Sequence, residues 1–208
     1  ALHPLHTEVV ANVKSRDELL AALFLFASLN LFAKWIRQQK VVQILLSLCL
    51  FFLATLSKET AVLGVLLFPA TYYFIEQTNF VKLVKNTVVF IVPFGLYFMI
   101  RSMVLSDVLI QDPIDPVANS LALASSNSEL LASNFAIFSK YMQLSVFPWT
   151  MSWDYSVSTL PIVGFGSIAS IIGVLAAIVL IYFASIGFFK KKMVGFGALI
   201  FISTFLLT

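Results

Sequence analysis

Charged residues are scarce in this sequence. Only 11% of its 208 residues are Asp, Glu, Lys or Arg, whereas 60% are hydrophobic and the mean hydropathy is +0.98. Soluble domains carry about 25% charged residues. The composition therefore excludes an ordinary soluble domain and predicts a polytopic membrane protein.

Cysteine and the signature motifs of several enzyme classes are also missing. The single cysteine, Cys49, lies within an apolar run, so no disulfide can form inside the chain. There is no glycine-rich phosphate loop, no nucleophile elbow and no Cys/His cluster. We expect no nucleic-acid partner.

Six apolar runs follow one another along the chain. They occupy residues 19–36, 41–56, 60–75, 87–105, 162–189 and 193–208. Crossing about 30 Å of hydrocarbon takes roughly 20 apolar residues, so the predicted fold is all-α, a polytopic bundle of membrane helices. Because the sequence opens without methionine and stops within an apolar run, we expect an internal piece of a longer protein.

Basic residues concentrate in alternate loops between these runs. One set of loops has eight basic residues and one acid, and the other has five basic residues and nine acids. The first set comprises Lys34, Arg37, Lys40, Lys82, Lys85 and Lys190 to Lys192. By the positive-inside rule this set is cytoplasmic. The N-terminal stretch, Ser57–Glu59 and the loop 106–161 are thereby predicted to face the periplasm or the lumen.

One apolar segment, residues 130–149, would break this alternation if it crossed the membrane. Its apolar side chains recur at helical spacing and form one stripe of Leu131, Phe135, Phe138, Met142, Val146 and Trp149. This pattern predicts an external amphipathic helix on the membrane surface.

Four outward basic residues lie at or near the ends of predicted helices: Lys14, Arg16, Lys58 and Arg101. Lysine and arginine at that depth suit a phosphate or pyrophosphate at the membrane surface, because they offer charge and several hydrogen-bond donors. The alternative is snorkelling, or ion pairing of Lys58 or Arg16 with an acid on another helix.

Outward acids, histidines and aromatic residues complete the candidate site. The acids are Glu8, Asp17, Glu59 and Asp154, the histidines are His3 and His6, and the aromatic residues include Trp153 and Tyr155. The simplest interpretation of the aromatic residues is that they lie at the membrane interface, and the alternative is that they form a wall of the site. Carboxylates can orient a hydroxyl, act as a base or hold a metal, and acids that begin a helix also favour its dipole. Two histidines without fixed partners are a weak metal signal, so we assign no metal site and leave a divalent cofactor open.

Several motifs in this order resemble a known family. They are His3-Pro4-Leu5-His6-Thr7-Glu8, Arg16-Asp17-Glu18-Leu19-Leu20, Leu56-Ser57-Lys58-Glu59 and Ser152-Trp153-Asp154-Tyr155-Ser156. The chain resembles the transmembrane-and-TPR protein O-mannosyltransferases and, more broadly, the GT-C membrane glycosyltransferases. It departs from the family pattern at Lys14-Ser15, where glycine often precedes the arginine, and at Tyr155, where tryptophan is common.

The resemblance implies a GT-C-like membrane enzyme with its site on the extracytoplasmic face of a bacterial inner membrane or the ER. The enzyme would move a sugar from a polyprenyl-phosphate carrier to an acceptor, often a protein hydroxyl. Its catalytic base is expected in an external loop upstream of Ala1, and TPR repeats are expected after Thr208.

Two other functions stay open at this stage. A non-catalytic GT-C-like subunit could serve as a scaffold in a larger membrane complex. A transporter of a lipid-linked substrate is disfavoured, because the middles of the apolar runs carry almost no ionisable residue.

Overall fold

The structure is a computed structural model that describes residues 10–12, 15–76, 79–105, 120–149, 159–190 and 192–205. All the regular structure in these residues is helical, as the sequence predicts. The chain divides into two compact units. The large unit falls within Thr7–Val108 and Phe183–Thr208, and the small unit falls within Leu109–Tyr182.

The described ranges contain eight α-helices. They are α1 Arg16–Gln38, α2 Val41–Ser57, α3 Gly64–Glu76, α4 Phe80–Thr87, α5 Ile91–Leu105, α6 Asn127–Val146, α7 Ile168–Phe189 and α8 Met193–Phe205. Short 3-10 turns occupy Glu59–Leu63 before α3, Val88–Phe90 between α4 and α5, and Ser120–Leu123 before α6.

Three helical stretches are long and apolar enough to cross a membrane. They are Arg16–Gln38, the continuous stretch Phe80–Leu105 and Ile168–Phe189. The shorter apolar helix α2 has 17 residues. These helices overlap the apolar runs of the sequence and indicate an integral membrane protein, whereas the crossing itself stays a prediction for all six runs.

Helices α1 and α2 form an antiparallel hairpin in the large unit. The chain reverses at Gln39, which has a left-handed backbone with φ 54° and donates its N–H to the Trp35 carbonyl. Midway along the hairpin, the hydroxyl of Ser28 donates to the Ser47 carbonyl at 2.6 Å and that of Ser47 donates to the Ser28 carbonyl at 2.8 Å. Small residues with paired hydroxyls let two apolar helices approach closely.

Aromatic rings fill the centre of the large unit. Its buried core comprises Phe32, Ile36, Phe51, Phe68, Tyr72 and Phe90, drawn from α1, α2, α3 and the turn before α5. The rings of Phe68 and Phe90 stack, and those of Phe32 and Phe68 meet edge to face with their centroids 5.4 Å apart. This core fixes the ends of the helices that carry the charged residues.

Helices α7 and α8 meet closely at the turn that joins them. A Cβ atom on Gly187 would overlap the backbone of Gly195, and one on Gly195 would overlap the backbone of Gly187. Nearby, the aromatic rings of Tyr73 on α3 and Phe188 on α7 stack with centroids 4.5 Å apart. The turn therefore lies beside the C-terminal end of α3.

The helix bounds differ from the apolar runs at two places. The run 162–189 becomes helical only at Ile168, because Gly164 and Gly166 precede a cap in which the Ser167 hydroxyl accepts the Ser170 N–H at 3.1 Å. Residues 80–86, which lie before the run 87–105, already form most of α4. Its N-cap is Asn79, whose side chain accepts the Lys82 N–H.

In the small unit, α6 packs against the segment that leads into α7. The Ser133 hydroxyl accepts the Val163 N–H at 3.0 Å, and Gly173 lies against the backbone of Phe135. Of the predicted amphipathic stripe, Phe138 is buried while Leu131, Val146 and Trp149 are exposed. The membrane-surface placement of this helix stays a prediction, and most of the loop 106–161 on either side of it lies outside the described residues.

Candidate functional site: an ion-pair cluster at one end of the large unit

Charged side chains from three helical elements meet at one end of the large unit. We call this group the paired end and define it as Asp17, Glu18, Lys58, Glu59, Tyr97 and Arg101. Asp17 and Glu18 lie in the first turn of α1, Lys58 follows α2, Glu59 begins the next 3-10 turn, and Tyr97 and Arg101 lie on α5. About one helical turn away, Ala21 of α1, Ala54 of α2 and Ala61 of the 3-10 turn form a buried cluster.

Lys58 binds the first turn of α1. Its ammonium lies 2.8 Å from the Asp17 carboxylate and 3.3 Å from that of Glu18. The backbone leaves α2 in an extended conformation at Lys58, whose N–H still donates to the Ala54 carbonyl at 3.1 Å. The helix end thus directs this side chain towards the neighbouring helix.

The two carboxylates raise the pKa of Lys58. The hydrogen bond to Asp17, followed by the bond to Glu18, raises the pKa of the Lys58 ammonium above its ordinary value, although partial burial opposes this shift. Lys58 is therefore charged at neutral pH. The two acids also lie at the N-terminus of α1, where the helix dipole favours negative charge.

Arg101 is held by two groups. Its Nη1 donates to the Glu59 carboxylate and to the Tyr97 hydroxyl, the latter at 2.7 Å. The guanidinium carbon also lies 6.0 Å from the centre of the Tyr97 ring, at the outer limit of a cation–π contact. Because Tyr97 precedes Arg101 by one helical turn, the two side chains lie on the same face of α5.

Arg16 differs from these two cations. It is exposed at the start of α1, and among the described residues no carboxylate forms an ion pair with it. Arg16, Lys58 and Arg101 are balanced in number by Asp17, Glu18 and Glu59. An arriving anion can bind Arg16 directly, whereas it must compete with a carboxylate for Lys58 or Arg101.

The structure brings together five of the residues predicted from the sequence. They are Arg16, Asp17, Lys58, Glu59 and Arg101. The remaining predicted site residues lie outside the described ranges: His3, His6, Glu8, Lys14, Trp153, Asp154 and Tyr155. Within the described part of the chain, no group of three or more His, Cys, Asp or Glu residues could hold a metal ion.

Two members of the paired end are not among the site residues predicted from the sequence. The sequence indicates only a helix-starting acid at Glu18 and gives no role to Tyr97. The signal for Tyr97 was its position four residues before Arg101 within a helical run, because that spacing places two side chains on one helix face. For Glu18 the available signal was its place beside Asp17.

Comparisons with family models, curated proteins and solved structures gave no match to this chain.

Proposed function

We propose that the protein is a membrane glycosyltransferase that moves a sugar from a polyprenyl-phosphate carrier to an acceptor, a protein hydroxyl above all. The resemblance of four short motifs to the GT-C enzymes supports this proposal, as do the helices of membrane-spanning length. The partners would be the membrane lipid that carries the sugar, the acceptor protein and any complex that presents it.

One observation carries the proposal. Two of the motifs, Arg16-Asp17-Glu18 and Ser57-Lys58-Glu59, are far apart in the sequence but meet through the 2.8 Å contact of Lys58 with Asp17. Arg101 from a third element joins them through Glu59. Motif residues that gather at one end of a helix bundle suit a shared site better than separate structural roles.

In this reaction the acceptor hydroxyl gives its proton to a carboxylate base, and its oxygen forms a bond to the anomeric carbon of the sugar. The bond from that carbon to the phosphate oxygen breaks, and the polyprenyl phosphate leaves with the electron pair. Arg16 would bind the donor phosphate and stabilise the negative charge that develops on it. Lys58 and Arg101 would join Arg16 by exchanging a carboxylate for a phosphate oxygen, which releases Asp17 or Glu59 to contact the sugar or the acceptor.

The membrane face of the site follows from the charge of the loops. The end opposite to Lys58 carries most of the basic residues, and the positive-inside rule assigns that end to the cytoplasm. The paired end then faces the periplasm or the lumen. A lipid-linked sugar presented on that face would reach Arg16 without entering the hydrocarbon.

The test is a sugar-transfer assay on the intact protein with a panel of polyprenyl-phosphate sugars. We expect transfer by the wild type and a fall in kcat/KM of about 10²-fold for Arg16→Ala and for Lys58→Ala, as for loss of one donor to a developing oxyanion. Lys140→Ala, which removes a charge from α6 in the small unit, is the matched control and should retain activity.

Both variants must insert like the wild type and remain folded at the assay temperature before their activities are compared. Full transfer by Arg16→Ala and Lys58→Ala would refute the phosphate assignment. Absence of transfer with every donor would refute the proposed glycosyltransferase activity.

A second candidate function is a non-catalytic scaffold with a glycosyltransferase-like body. It is favoured by the ion pairs themselves, because Lys58 and Arg101 already have carboxylate partners without any ligand. A scaffold would use these pairs to hold α1, α2 and α5 together. It predicts no transfer by the wild type and loss of a bound partner protein when Lys58 is replaced.

A further inference from the structure

We propose that α4 lies in the headgroup region of the membrane and that the cations around it bind anionic phospholipid. The proposal concerns the end of the large unit opposite to the paired end. It does not depend on sugar transfer, so the two proposals can fail separately.

Helix α4 has an inward face that anchors it to the large unit. Leu83 packs against the aromatic core that contains Ile36 and Tyr72, and Thr87 is buried one turn later. The Asn86 amide also donates to the Tyr72 hydroxyl at 2.8 Å. The helix is therefore held in one orientation, which leaves its other faces exposed.

The second face of α4 is apolar and exposed. Phe80 and Val81 are 76% and 75% exposed, and Val84 and Val88 continue this surface. The helical stretch Phe80–Leu105, which begins with α4 and continues into α5, is as a whole long and apolar enough to cross a membrane. An exposed phenylalanine and valine at the start of such a stretch fit the boundary between headgroups and acyl chains.

The third face of α4 carries lysines. Lys82 lies 3.6 Å from Glu76, and Lys85 is exposed without an ion-pair partner among the described residues. A short helix with apolar residues on one side and lysines beside them is typical of a segment that lies in the membrane interface.

Further cations share this end of the large unit, which we call the basic end. Its described cations are Lys34, Arg37, Lys40, Lys82, Lys85, Lys190 and Lys192, all exposed, and its described acid is Glu76. Ile36 lies in the same core as Tyr72, and Tyr73 stacks on Phe188 just before Lys190. The turns after α1, α3 and α7 therefore lie at one end.

The excess of positive charge, beside the exposed apolar face of α4, fits an anionic phospholipid. An acidic lipid headgroup offers a phosphate to the lysines and acyl chains to Phe80, Val81 and Val84, so one molecule satisfies both exposed faces of α4. A zwitterionic lipid offers the chains without net charge. Lysines near an anionic surface strengthen binding by about three- to fivefold each.

Trp35 provides a reporter of lipid binding at this end. It lies two residues before Arg37, and its ring stacks on Phe32 with centroids 5.6 Å apart. The other tryptophans, Trp149 and Trp153, can be removed by Trp149→Phe and Trp153→Phe. In that background, Trp35 fluorescence is measured in phosphatidylcholine bilayers that contain brominated phosphatidylglycerol or brominated phosphatidylcholine as quencher.

We expect the anionic quencher to bind about three- to tenfold more strongly than the zwitterionic one. Lys85→Gln should lower this preference several-fold, Lys82→Gln should lower it less because Lys82 is shared with Glu76, and 1 M NaCl should abolish it. Lys140→Gln removes the same charge from the small unit and should leave the preference unchanged.

Equal quenching by both lipids in the wild type, or a preference that survives Lys85→Gln and high salt, would overturn the proposal. Competition by soluble glycerophosphoglycerol at the lipid's own concentration would overturn its lipid part, since the site would then bind a free phosphate group. The salt measurement needs no lysine substitution, so it still tests the proposal if Lys85→Gln or Lys82→Gln fails to fold.

Discussion

The two ends of helix α1 hold the same kinds of charged residue in different arrangements. At the paired end, Lys58 and Arg101 contact carboxylates from neighbouring elements. Roughly 30 Å away along the helix, the basic end carries seven described cations and Glu76. The paired end can therefore hold helices together by ion pairs, whereas the basic end has an excess of positive charge that can bind an external anion.

This difference matters because charge alone does not assign a role. The sequence shows cations at the ends of helices in both places, and both sets suit a phosphate. Among the described residues, an anion can bind at the paired end by exchange with a carboxylate or beside it through Arg16, whereas Lys85 has no carboxylate to displace. A sugar donor that binds Lys58 or Arg101 must compete with a carboxylate, so its charge alone is not enough for binding there.

The largest effect is expected where the basic end depends on close packing of backbones. In Gly187→Ala, the new methyl group would overlap the backbone of Gly195, which cannot rotate away. We expect the free energy of unfolding in mild detergent to fall by about 1–3 kcal/mol. The turn that carries Lys190 and Lys192 would move with it.

Gly197→Ala is the matched control for this substitution. It lies on α8, and a Cβ atom there meets nothing within 4 Å. Its stability should remain the same or rise, because alanine favours helix over glycine by about 1 kcal/mol. Equal losses in the two variants would contradict the close contact at Gly187.

A smaller effect is expected at Gly64, where α3 begins near the paired end. A Cβ atom on Gly64 would lie 2.7 Å from Cε2 of the buried Phe51 ring and would also contact the side chain of Leu25. Side chains can give way where a backbone cannot, so we expect Gly64→Ala to lower the free energy of unfolding by about 1 kcal/mol.

Gly95→Ala on α5 is the comparison for Gly64→Ala, because its Cβ atom meets nothing within 4 Å. Chemical unfolding of both proteins, measured alongside Gly187→Ala, would show at which end the added methyl group lowers the free energy of unfolding more. A larger loss for Gly64→Ala than for Gly187→Ala would reverse the predicted order and place the tighter packing at the paired end.

Much of the helical framework could be predicted from hydropathy. The apolar runs 19–36 and 41–56 correspond closely to α1 and α2, because a long uncharged run has few alternatives to a helix. Helix α4 was missed, since Lys82 and Lys85 interrupt its apolar residues and made residues 80–86 resemble a loop. The start of α7 was placed six residues early because hydropathy does not detect the cap at Ser167.

The members of the paired end were predictable, but most of their contacts were not. Ion pairing of Lys58 with an acid on another helix was one of the two alternatives that the sequence left open. The choice of Asp17 depends on the antiparallel register of α1 and α2, which the two-residue turn and the Ser28–Ser47 contact fix. The contact of Arg101 with Glu59 depends on how α5 packs, which no local pattern specifies.

The smallest effect is expected from the ion pair itself. Lys58→Met and Asp17→Asn should each lower the unfolding temperature by about 1–3 °C, because Asp17 and Glu18 remain partly solvated and near the α1 dipole. The double variant should lose less than the sum of the two single losses. Lys85→Met should cause no loss, since Lys85 has no carboxylate partner in the described structure.

The pH dependence of the free energy of unfolding distinguishes the Lys58–Asp17 ion pair from a general effect of net charge. The pKa of Lys58 is raised in the folded protein, so the pair stabilises fully below the ordinary lysine value of 10.5 and its contribution is lost as pH rises through the higher folded value. The wild type should therefore lose stability above about pH 10.5 that Lys58→Met does not lose. Parallel curves for the two proteins would mean that Lys58 is not held by Asp17, and the contrast between the two ends would then rest on Arg101 and Glu59 alone.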